Sequence, residues 1–189
     1  MTDSLSQTCI PSSLCTAAVL TARGRGAVAT IRIKGPSELI DARSQPLFQS
    51  LNGQPIASQI VGRMIYGHWG KDVREDVVVC RVSDEELEIH CHGGDAAVQR
   101  ILDDLRSVGF SVQSWQAMLT ESTGLLATEC AEALSRARTV RTADLLWEQQ
   151  SGVLQAGIED LIRLTQTCLE SETATRARLA LTIGLNEML

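Results

Sequence analysis

The stretch EIHCHGG, Glu88–Gly94, packs a carboxylate, two of the three histidines, a cysteine and a glycine pair into seven residues. From Glu86 onward it alternates polar and apolar, which is the two-residue period of a strand. Glu88, His90 and His92 then share one face, and Leu87, Ile89 and Cys91 the other. The apolar set belongs to a core, so Cys91 is expected inside. The polar set faces a cleft, an interface or water. Gly93-Gly94 ends the strand. Asp95 is expected to cap a helix whose Val98, Ile101, Leu102, Leu105 and Val108 follow helical spacing, with Gly109 as its stop.

Outward from this strand, alternation predicts AVATIRIKG (27–35) as a strand and β-branched content predicts VREDVVVCRVS (73–83), while LCTAAVL (14–20), GRMIYGHWG (62–70) and FSVQSW (110–115) also read as strands. TARGRG (21–26) is a turn. Pro36 opens a short helix that Pro46 limits to about two turns. Beyond residue 116 the strand patterns vanish. Leu125 to Ala143 reads as one long helix, Val153 to Thr165 as a second, and Thr173 to Ile183 as a third. The fold class expected is α+β: a mixed sheet with packed helices over residues 1–116, then a helical segment over 117–189.

Composition excludes several classes. A net charge of −6 argues against a free-standing nucleic-acid binder, whose footprint is a basic face. The cluster Arg136, Arg138 and Arg141 makes no single helical stripe and reads as solvated surface. No segment is apolar enough to span a bilayer, and no signal peptide is visible. The six cysteines form no CxxC pair. A cytoplasmic protein with reduced thiols is expected.

Three readings of Glu88–Gly94 compete. Two histidines and a carboxylate are legitimate zinc ligands, but alternate residues on a strand stand roughly 6.5–7 Å apart, which suits two ligands better than three. A strand running through Gly-Gly into a helix N-terminus suits an anion or another ligand. Exposed histidines at a glycine turn also need no function at all. No nucleophile–base pair is evident, because Cys91 and His92 point to opposite faces; the chain alone is not expected to be catalytic.

A second stretch adds weight to a ligand site. In GRGAVATIRIKG, Val28, Thr30, Arg32 and Lys34 share one face of the strand, and Ala29, Ile31 and Ile33 the other. If the two strands are near neighbours, Arg32 and Glu88 flank one pocket. Arg would grip a carboxylate or carbonyl, and Glu would accept ring N–H donors. The alternative is a surface salt bridge contributing little.

In this order, ARGRGAVATIRIKG (22–35), SDEELEIHCHGG (83–94) and CAEAL (130–134) resemble the N-terminal part of the tRNA modification GTPase family MnmE, also called TrmE. Its corresponding patterns are P-G-R-G-G-V-G-I-x-R-I-S-G, G-E-D-V-x-E-L-x-x-H-G-G and A-E-A. The resemblance covers residues 15–145. It implies a domain similar to the folate-binding domains of one-carbon enzymes, which dimerises and holds a tetrahydrofolate derivative, 5-formyl- or methylene-tetrahydrofolate. It implies Arg32 and Glu88 as folate contacts. It also implies a following helical domain with an inserted GTPase domain, and action with an MnmG-like flavoprotein on the wobble uridine of tRNA.

Departures from the pattern accompany these matches. An ungapped alignment puts Leu125 where the family carries a folate-contacting lysine. No G-x-x-x-x-G-K-S/T loop occurs, so this chain is not expected to bind GTP in the usual way. The alternative expectation is therefore a divergent scaffold that dimerises and positions a GTPase domain or a partner protein without holding folate.

Overall fold

A computed structural model describes residues 15–22, 26–41, 46–70, 73–170, 181, 182 and 184. They fall into two compact units, 1–118 and 119–189. The first is a mixed seven-stranded sheet with helices, the α+β class expected. Its strands are β1 (Thr16–Val19), β2 (Val28–Lys34), β3 (Phe48–Ser50), β4 (Met64–Trp69), β5 (Glu75–Arg81), β6 (Glu86–His92) and β7 (Ser111–Val112). Their order across the sheet is β3-β4-β5-β6-β2-β1-β7. Every pairing is antiparallel except β1 with β7.

The period-2 reading holds on both central strands. Ala29, Ile31 and Ile33 of β2 and Leu87, Ile89 and Cys91 of β6 are buried. They join Val77 and Val79 of β5 and the inner stripe of α2 (Asp95–Ser107), formed by Ile101, Leu102 and Leu105. A fully buried aliphatic side chain contributes about 1.5–3 kcal/mol, so this one face supplies most of the first unit's stability. Trp69, also fully buried, satisfies its indole by donating to Asp104 Oδ2 at 3.0 Å.

Several expectations need correction. The helix after Pro36, α1, is a single turn over Glu38–Asp41. Leu47, just past Pro46, leads into β3, a strand of three residues that the pattern did not announce. Asp95 is the first helical residue of α2 rather than its cap; Gly94 is the cap and makes no side-chain bond. FSVQSW yields only the two residues of β7. The Ser114 hydroxyl then accepts the Ala117 N–H at 3.1 Å and starts α3 (Trp115–Thr123) in place of more strand.

The long helix expected from Leu125 to Ala143 is broken. α4 covers Leu125–Ser135 and α5 covers Val140–Gln150. Gly124, at φ +86°, separates α3 from α4 in a conformation that side chains with a Cβ rarely adopt. Thr139 accepts the Thr142 N–H at 3.2 Å and so caps a new start for α5. α6 (Val153–Glu170) matches the second helix expected and runs beyond it. The third falls almost wholly outside the described residues. No helix among the described residues is long and apolar enough to cross a membrane.

Candidate functional site

The outer face of the β2–β6 ladder carries the site residues. Antiparallel register sets Val28 opposite His92, Thr30 opposite His90, Arg32 opposite Glu88 and Lys34 opposite Glu86. Opposed residues on one face stand close enough for their side chains to meet. The Arg32 guanidinium donates from Nε to Glu88 Oε1 at 3.2 Å and from Nη2 to the same oxygen. Lys34 Nζ lies 3.6 Å from Glu86 Oε1. Thr30 Oγ1 and His90 Nδ1 are 3.1 Å apart, and His90 Nε2 lies 3.6 Å from Glu88 Oε2.

Arg32 and Glu88 are therefore neighbours, as the strand reading required. Their side chains retain 35% and 20% of their exposure, so the pair is open to a ligand on one side. A cavity of about 840 Å³ lies elsewhere in this unit, at the end of β6, lined in part by Thr21, Gly26, Gly93, Asp95 and Arg106. Asp95 and Arg106 both line that cavity, but they are not set opposite each other in a strand register as Arg32 and Glu88 are, and we place the candidate site on the sheet face. One charged donor group and one carboxylate with a free oxygen fit a flat ligand bearing both an acceptor and N–H donors.

The histidines are engaged separately. His92 Nδ1 lies 2.5 Å from Glu75 Oε1, and His68 Nδ1 lies 2.8 Å from Asp76 Oδ1. Among the described residues, no three of His, Cys, Asp and Glu converge as metal ligands. Cys91 is buried, and its thiol is pushed up to about 11, first by burial and then by the Glu75 carboxylate, against an opposing backbone hydrogen bond. At neutral pH it is an unreactive thiol of the core.

Sequence reasoning put Glu88, His90 and His92 on one face but missed the contact from Thr30 to His90. The signal was available: both strands alternate, and one known pairing, Arg32 with Glu88, fixes all the others. Leu125 opens α4 and is 63% exposed.

Comparison with known proteins bears on this geometry. Residues 15–117 match the family described as GTP-binding protein TrmE N-terminus. The tRNA modification GTPase MnmE of Prochlorococcus marinus is 32% identical over 171 residues, which is 80% of this chain and 36% of that protein. The MnmE of a Synechococcus species is 30% identical over 187 residues, 89% of this chain and 40% of its own length. That of Oceanobacillus iheyensis is 30% identical over 168 residues, 82% and 35% respectively. The chain thus spans between 35% and 40% of the length of these relatives. On these matches, the chain belongs to the MnmE/TrmE family, through that family's N-terminal region.

Proposed function

We propose that residues 1–116 form the tetrahydrofolate-binding and dimerising domain of an MnmE/TrmE-like protein of wobble-uridine tRNA modification, and that residues 117–189 begin its helical domain. The observation that carries this reading is Arg32 set directly opposite Glu88 on an open face. Arg32 would hold an acceptor or carboxylate of the folate derivative, and Glu88 would receive its ring N–H groups. Bound folate would supply one-carbon chemistry; these residues supply orientation and charge.

A homodimer is part of the proposal. Val28, Met64 and Tyr66 are exposed on the same side of the sheet as the polar pairs. Apolar groups interleaved with satisfied polar ones suit a surface that becomes covered. An MnmG-like flavoprotein would be the protein partner, tRNA would be met through the assembly, and the setting would be the cytoplasm. GTP hydrolysis is not assigned to these residues.

The test is calorimetric titration of the chain with 5-formyl-tetrahydrofolate. Binding is expected in the micromolar range, with a Kd of about 1 μM corresponding to −8.2 kcal/mol. Glu88→Ala should weaken it by about 2 kcal/mol, as loss of a charged hydrogen-bonding group does. Equal affinity in the variant would refute the site.

A second reading, a scaffold without folate, is favoured by the helical unit. Leu125 cannot donate to a ligand. Trp147, Val153, Ile162 and Leu169 of α5 and α6 are half exposed or more, more apolar surface than helices with no partner usually show. Retained dimerisation by light scattering with no folate heat would select this reading.

A further inference from the structure

The two oxygens of Glu88 keep different company. Oε1 is taken by Arg32. Oε2 faces His90 Nε2 at 3.6 Å, beyond a full hydrogen bond, and so keeps its capacity to accept from a ligand. The other ring nitrogen of His90, Nδ1, is 3.1 Å from Thr30 Oγ1.

A neutral imidazole has one N–H and one lone pair. With the proton on Nδ1, the Nε2 lone pair would face a carboxylate oxygen. With the proton on Nε2, neither contact is opposed: the Thr30 hydroxyl donates to Nδ1 at 3.1 Å, and Nε2–H attracts Oε2 across 3.6 Å without a full hydrogen bond. The surroundings reinforce this choice. From β2, His90 is faced by Thr30 and Arg32. From β5 it meets Val78 directly opposite, with Asp76 and Cys80 to either side. On its own strand it has Glu88 and His92.

We infer that His90 is a positioning residue for Glu88, holding Oε2 toward the ligand through the Thr30–His90–Glu88 chain and making this site's affinity for a reduced folate depend on pH. The inference rests on the folate reading above. When the imidazole takes its second proton, Glu88 lies between two cations, Arg32 and His90. Oε2 is then drawn into a charge-assisted bond, and a ligand N–H must displace it.

The experiment is titration with 5-formyl-tetrahydrofolate at about pH 5.5 and about pH 8, which bracket the range where imidazole changes charge. Wild type, His90→Gln and His92→Gln are compared. Glutamine keeps a donor beside Oε2 but cannot be protonated. The wild type should bind about tenfold more weakly at the lower pH, the size of one charged hydrogen bond. His92→Gln should keep that fall, and His90→Gln should hold within about twofold. An equal fall in His90→Gln overturns the inference and leaves the folate reading standing. No binding by wild type at either pH overturns the folate reading and the inference with it. Imidazole nitrogen NMR of the unliganded chain gives a second readout: the Nε2–H form is expected, and the Nδ1–H form would overturn the inference without touching the folate reading.

Discussion

The ladder between β2 and β6 has two faces built from alternate residues of the same two strands. On the inner face, Ile31 and Ile89 oppose each other and are fully buried; on the outer, Arg32 and Glu88 oppose each other and stay partly open. The backbone treats the two faces alike, with the same spacing, the same hydrogen bonds and the same twist. What differs is the exchange with water. The inner pairs gain by leaving it, whereas the outer pairs gain little, because an ion pair in contact with solvent is worth at most about 1 kcal/mol. Stability and recognition are thus encoded one residue apart, and a slip of one position in register would exchange them.

Substitutions can break or sharpen this contrast. Ile89→Ala should cost the most, about 3 kcal/mol by chemical denaturation, since it removes a buried branched side chain and leaves a cavity. Gly93→Ala should follow at about 2 kcal/mol, the typical penalty for forcing atoms into filled space. A Cβ there would lie 2.0 Å from the carbonyl oxygen of Gly26, backbone against backbone, with no flexible side chain to yield.

Cys91 predicts a smaller, pH-dependent effect. In the unfolded chain its thiol ionises near the ordinary value of 9.0, and in the fold only at about 11. The unfolded state therefore loses its proton first, and stability present below about pH 9 is lost as pH rises toward 11. Cys91→Ala should flatten that portion of the stability–pH curve; an unchanged slope would place the effect on other groups. At about pH 8 a thiol reagent should label Cys91 only on unfolding.

Arg32→Ala should have the smallest effect on stability, below about 1 kcal/mol. If folding proved as sensitive to Arg32 as to Ile89, the division of labour between the faces would be wrong.

β2 and β6 were legible because alternation ran through seven residues and gave several independent votes for one face, and β5 because of its run of β-branched residues. The alternation also placed Arg32 and Glu88 on polar faces. β3, with three residues and one buried side chain, was too short to vote. The break at 136–139 was hidden because Ala137 and Val140 continue the apolar spacing while the Thr139 side chain restarts the helix. The cap at α2 was misread by one position because Asp and Gly both suit that role, and only the backbone angles distinguish them. The contact of Thr30 with His90 was missed for another reason: it follows from the register that the Arg32–Glu88 pairing fixes, a step that neither strand shows when read alone.

The approach of Gly93 to Gly26 also bears on diagnosis. A chain that had long ceased to hold any ligand would still need glycine at 93, because the backbone of Gly26, just before β2, leaves no room for more. Finding a glycine at that position in a distant relative therefore speaks for the architecture and says nothing of whether the site is alive. The living and the vestigial are told apart at Arg32, Glu88 and His90, where the fold is indifferent and only a ligand would care.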